Sequence, residues 1–158
     1  MFQSIEKLKH EGFEGFKTIQ ELNNNHDIIP KQKGVYFILN DKTIEPVFLE
    51  TGCGGYYKQK NPNVIPEVLK KNWVKHTHTL YIGKANNLRR RLKLYLDFGK
   101  GRPVSHQGGR YIWQLSHSDD LIVCWKILDS EVPRSIEEEL IRSFKSQFGD
   151  RPFANLQD

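Results

Sequence analysis

The sequence predicts an α/β protein, and three observations carry that prediction. A β-type run, Thr79-Leu80-Tyr81-Ile82, passes through Gly83 into a helix-type run beginning at Leu88. Ile136, Leu140, Phe144 and Phe148 recur at every fourth position and mark one face of a long terminal helix. Residues 34–39 and 121–128 are two nearly continuous apolar runs of the kind that form buried strands.

Taken in order, residues 1–30 read as a helical extension in two pieces that cap the core. Ile5 and Leu8 follow Ser4 in the first piece, Gly12 and Gly15 interrupt the pattern, and Thr18, Ile19 and Leu22 form the second. Residues 30–33 make a turn and residues 34–39 a strand, with residues 47–49 as a second, shorter strand. Thr51-Gly52-Cys53-Gly54-Gly55 lacks the lysine-serine/threonine ending of a phosphate-binding loop and reads as a flexible connection. Val68, Leu69 and Trp73 suggest a short amphipathic helix, and His76 and His78, without a third ligand nearby, read as solvent-facing.

After the central strand, Asn87 is suited to cap a helix whose apolar face carries Leu88, Leu92, Tyr95 and Leu96. Residues 98–110 form a basic, glycine-rich loop, either a long surface connection or a nucleic-acid contact. Residues 111–115 and 121–128 read as strands joined by the turn at 116–120, a hairpin. Ser135 and Glu138 have the spacing of a capping box at the start of the terminal helix.

With 158 residues, 37% hydrophobic and 27% charged, the chain is expected to form one domain over residues 1–158 rather than a disordered segment. No stretch approaches the roughly 20 apolar residues of a membrane span. The opening residues lack a secretory core, and Cys53 and Cys124 are far apart, so a cytoplasmic protein with free thiols is expected. Lys and Arg outnumber Asp and Glu by 24 to 19, which is compatible with a polyanionic partner. The excess concentrates in Lys84, Arg89, Arg90, Arg91, Lys93, Lys100, Arg102 and Arg110, opposed within that stretch only by Asp97.

Two charged residues sit where a helical wheel does not expect them. Arg91 flanks the apolar stripe one turn before Tyr95, either as an arginine snorkelling at the border or as a guanidinium aimed at phosphate near Tyr81 and Lys84. At about 100° per residue, Glu137 falls inside the apolar arc of its helix, whereas Glu138 and Glu139 fall outside it. An inward carboxylate is costly unless satisfied, so Glu137 is either half of an ion pair, with Arg91 as candidate partner, or a ligand for a divalent metal.

Gly34-Val35-Tyr36 followed by Tyr81-Ile82-Gly83 resembles the pair of signatures of the GIY-YIG nucleases. The run Tyr81-Ile82-Gly83-Lys84-Ala85-Asn86-Asn87-Leu88-Arg89-Arg90-Arg91-Leu92 is similar to the motif in the nuclease domain of the bacterial excision-repair endonuclease. Arg91 takes the family's arginine position and Tyr95 a tyrosine found in some of its branches. Glu137, ahead of Leu140-Ile141, takes the metal-binding position, and Asn155 resembles an asparagine near the domain's end. The resemblance spans residues 34–155. It departs from the family in the 45-position separation of Tyr36 from Tyr81, which makes residues 40–78 a long insertion, and in the long separation of Glu137 from Asn155.

The resemblance implies a small central antiparallel sheet flanked by helices, with Tyr36 and Tyr81 on adjacent strands. It implies hydrolysis of phosphodiester bonds, in double-stranded or branched DNA, with one Mg²⁺ (or Mn²⁺) held by Glu137. Tyr36, Tyr81, Lys84, Arg91, Tyr95 and Asn155 would complete the catalytic set, with Tyr36 favoured as base. Arg89, Arg90, Lys100, Arg102, His106 and Arg110 are the candidate nucleic-acid contacts. Specificity would come from the insertion, the 98–110 loop, a second subunit in a homodimer, or a partner protein. The competing expectation is a non-catalytic nucleic-acid-binding module built on the same basic surface.

Overall fold

A computed structural model describes residues 4–42, 45–105 and 108–156. Its elements in chain order are α1 (Ile5–His10), β1 (Glu14–Thr18), α2 (Ile19–Asn24), β2 (Gly34–Leu39), α3 (Pro66–Asn72), β3 (Thr79–Ala85), α4 (Leu88–Gly99), β4 (Ile122–Ile127) and α5 (Pro133–Phe148). The four strands form one antiparallel sheet in the order β1-β4-β2-β3, with helices around it. None of the described helices is long and apolar enough to cross a membrane.

The unbroken apolar character of β2 follows from its position, because both faces of the sheet are covered. Tyr36 and Ile38, with Tyr81, Val123 and Trp125, face the layer that holds Leu88, Leu92 and Tyr95 of α4. Val35, Phe37 and Leu39, with Ile82 and Cys124, face Leu8, Phe13, Ile141 and Phe144. The four-residue repeat of α5 delivers Phe144 to that second layer, where it lies 4.6 Å from Phe148 between ring centroids. Asn87 caps α4 as expected, its side-chain oxygen accepting from the Arg90 amide at 3.1 Å.

Six expectations are corrected. Residues 1–30 are not purely helical, since β1 adds an edge strand beside β4. The glycine that seemed only to interrupt a helix makes a bulge there: Gly15 and Phe16 both have positive φ, and a Cβ on Gly15 would lie 2.6 Å from the Trp125 ring. A short, bulged edge strand carries too little periodicity to declare itself.

Residues 111–115 are not a strand, and no hairpin joins them to β4. Arg110–Gln114 is a buried 3₁₀ turn, followed by a second at Ser118–Asp120. A short apolar run is compatible with either conformation, and here tertiary packing decides. Gln114 bridges the 47–64 segment: its Nε2 donates to the carbonyls of Leu49 and Val64, and its Oε1 accepts from the Val64 amide. Residues 47–49 accordingly contribute a single bridge, Phe48 to Leu115, rather than a strand.

The glycine-rich loop is packed rather than loose. A Cβ on Gly52 would come within 2.1 Å of the Trp113 carbonyl oxygen, and one on Gly55 within 1.9 Å of that of Arg102. Finally, the Ser135–Glu138 capping box does not form. α5 starts three residues earlier at Pro133, whose fixed φ suits the first helical position, and Val132 at the N-cap offers no side-chain bond. Glu138 pairs instead with Arg134 at 3.1 Å. His76 is exposed as expected, whereas His78 is half-buried with Nδ1 2.7 Å from the Asn40 carbonyl oxygen.

Candidate active site

The register of β2 against β3 sets Tyr36 opposite Gly83. That pairing explains the glycine: a Cβ at Gly83 would sit 2.3 Å from Tyr36 Cζ and 2.6 Å from its hydroxyl oxygen, so the phenol lies across β3 where only glycine leaves room. Tyr81 meets Tyr36 edge-on at 6.0 Å between centroids and stacks on Tyr95 at 5.9 Å. Three phenols from β2, β3 and α4 therefore form one buried row.

This row ends at an open cleft of about 580 Å³ between the start of α4 and the start of α5. Tyr36, Tyr81, Lys84, Arg91 and Glu137 all line it. A neighbouring cleft of about 590 Å³ shares Tyr81, Lys84, Arg91, Arg134 and Glu137 with the first and adds Asn155. The inward turn of Glu137 is as the helical wheel requires, with its side chain 14% exposed while Glu138 and Glu139 face solvent. Its partner is not Arg91: Lys84 Nζ approaches Glu137 Oε1 at 3.2 Å. Arg91 instead acts on Tyr36, whose ionised form its charge favours.

The phenols differ in their readiness to ionise. Burial raises the Tyr36 pKa above its ordinary value, while the Arg91 charge and hydrogen bonds from Tyr81 and Arg91 pull it back down. Tyr81 is raised further, first by burial and then by the charges of Tyr36 and Glu137 on the phenolate. Tyr36 is thus the better placed of the two to lose a proton, although both are protonated at neutral pH.

The other expected residues divide by position. Tyr95 is fully buried behind Tyr81 and donates its hydroxyl proton to the Gly109 carbonyl at 2.8 Å, so it supports Tyr81 rather than lining the cleft. Asn155 uses its amide on the backbone of β3, accepting from Ile82 N at 3.0 Å and donating to Ile82 O at 2.9 Å. Arg90 lines the cleft, but Arg89 does not: its guanidinium donates to the carbonyls of Ile29, at 2.7 Å, and Asp27. Lys100 and Arg102 line a separate hollow towards the far end of α4, where Arg102 pairs with Asp97 at 3.1 Å. Arg110 stacks over Tyr111 at 5.6 Å from its centroid. His106 lies outside the described residues. The basic block therefore divides into cleft residues, structural clamps and a distant patch.

Arg134 is the cleft residue that sequence reasoning passed over. It precedes Glu137 by three positions, so it shares a helix face with it, and that spacing was a usable signal. Leu94, Val132 and Pro133 also line the cleft.

The donor set suits some metals better than others. Among the described residues, no three His, Cys, Asp or Glu side chains come together as a metal cluster. One carboxylate that already accommodates an ammonium at 3.2 Å is compatible with Mg²⁺, which keeps several waters and commonly takes one or two carboxylates plus substrate phosphates. No protein-family model, curated protein or solved structure matches this chain.

Proposed function

We propose that this protein is a divalent-metal-dependent endonuclease acting on phosphodiester bonds, with DNA as the expected substrate. The observation that carries the reading is the convergence of Tyr36, Tyr81, Lys84, Arg91 and Glu137, drawn from four different elements, on one open cleft. Those are the residues expected to act together from the resemblance to the GIY-YIG nucleases, and β2 and β3 hold the two tyrosines side by side.

In this reading a phosphate enters between Arg91 and Glu137. Arg91 forks onto its nonbridging oxygens and offsets the charge that builds in the pentavalent state. Tyr36 takes the proton of the attacking water at its hydroxyl oxygen once ionised, and Tyr81 and Arg91 stabilise that phenolate. Lys84 leaves Glu137 for the phosphate or for Tyr36. A divalent ion on Glu137 would supply charge neutralisation for the phosphate and the leaving oxygen. Tyr95 and Asn155 act through placement, the one behind Tyr81 and the other on the β3 backbone.

Purified protein is expected to nick supercoiled plasmid in Mg²⁺ or Mn²⁺, and chelator or Glu137→Ala should abolish nicking. Arg91→Ala should slow it by roughly 10²–10³-fold. Nicking that survives Glu137→Ala would remove this assignment. The alternative, a non-catalytic nucleic-acid-binding module, is favoured by one observation: Glu137 has a cationic partner in Lys84 at 3.2 Å. Salt-sensitive DNA binding without cleavage on plasmid, branched DNA or RNA would select it.

A further inference from the structure

The cleft has a mixed lining. Lys84, Arg90, Arg91 and Arg134 bring cationic groups to the cleft beside Glu137, whereas Val132 and Leu94, with the buried Pro133, give the same concavity an apolar shelf. Val132 is 59% exposed, and it sits at the start of α5 one residue before Pro133 and two before Arg134. Leu94 is half-buried, one helical turn beyond Arg90 and Arg91 on α4. A pure phosphate track has no use for an exposed aliphatic shelf at this depth. A protein segment would have to satisfy several arginines at once.

The geometry points to an unpaired nucleotide as the occupant of this cleft, its phosphate on Arg90, Arg91 and Arg134 and its base against Leu94 and Val132. Charge complementarity selects a nucleic-acid strand, and the shelf selects a base that has left its stack. In a duplex the base faces are covered and only the edges reach the grooves, so a recessed apolar wall beside the phosphate cations cannot meet them. The inference rests on the nucleic-acid reading of the cleft but not on cleavage. It names the substrate class as nucleic acid with an unpaired nucleotide beside the bound phosphate: a flap, a bubble or a single strand.

The test is binding of fluorescein-labelled oligothymidylate, of the abasic strand of equal length, and of a blunt duplex, with chelator present so that no cleavage intervenes. Wild-type protein is expected to bind the base-bearing strand most tightly. Val132→Ser combined with Leu94→Gln should weaken that binding by roughly tenfold and leave the abasic strand unaffected. Serine is a good N-cap and glutamine a good helix former, so the variant is expected to fold, and its thermal transition is measured alongside. Val132→Phe, which offers a stacking surface, should tighten the base-bearing strand alone.

Equal wild-type binding to base-bearing and abasic strands would overturn the inference, as would an equal loss for both in the double variant. Binding to no strand at all would overturn it too and would favour a protein occupant. Base-dependent binding without metal-dependent nicking would uphold the shelf and refute only the nuclease.

Discussion

Gly83→Ala is the most direct test of how the site is built. A methyl at this position would lie 2.3 Å from Tyr36 Cζ, against an ordinary carbon–carbon contact of about 3.5–4.0 Å. Tyr36 must therefore retreat by more than about 1 Å, into a core where its ring is fully buried. Overpacking of that kind costs about 1–3 kcal/mol, while alanine recovers only about 0.5–1 kcal/mol over glycine in a strand. The net expectation is about 0–2.5 kcal/mol of destabilisation, centred on about 1 kcal/mol, which is about 2–4 °C in Tm for a chain of this size. Urea and thermal unfolding would measure it. In a Tyr36→Leu background the ring is gone, so adding Gly83→Ala should cost far less, giving a coupling energy above about 1 kcal/mol. The same stability change in both backgrounds would refute the proposed crossing of Tyr36 over β3. If the cleft is catalytic, a 1 Å displacement of the phenol should also slow nicking by about 10²-fold.

Three further outcomes follow from the same geometry. Asn155→Ala removes two hydrogen bonds and leaves the Ile82 amide and carbonyl without their amide partner, so unfolding free energy should fall by about 2–4 kcal/mol; a neutral result would show that Asn155 does not hold the β3 edge. Arg89→Ala frees the Ile29 and Asp27 carbonyls and should destabilise by about 1–3 kcal/mol with little effect on DNA affinity, whereas Arg90→Ala should weaken DNA binding with little effect on stability. The reverse pattern in paired unfolding and binding assays would exchange their roles. Tyr36, Tyr81 and Tyr95 all have pKa values raised first by burial, so each contributes stability that is complete below the unfolded tyrosine pKa near 10 and is lost as pH rises through its folded value. Phenolate absorbance should therefore show Tyr36 ionising ahead of Tyr81 and Tyr95, and the last two only well above about pH 10. Titration of all six tyrosines near pH 10 in folded protein would contradict their burial.

Local chemistry determined much of this protein. β2, β4 and the face of α4 were legible because burial on both sides of a sheet, or on one stripe of a helix, imposes a repeat on residue type. The inward turn of Glu137 was legible for the same reason, as an exception to its helix's pattern. Tertiary structure decided what periodicity could not encode. It made residues 110–114 a buried 3₁₀ turn rather than a strand, because Gln114 ties that turn to the 47–64 segment. It brought β1 to the sheet edge through a bulge that looked in sequence like a helix break. Above all, it chose partners. Lys84 rather than Arg91 meets Glu137, Arg89 is spent on backbone carbonyls, and Arg134 joins the cleft from a helix 43 positions after Arg91. Residue type fixes which charges are present. Which of them meet depends on strand register and on the helix faces that pack together, properties no single stretch contains.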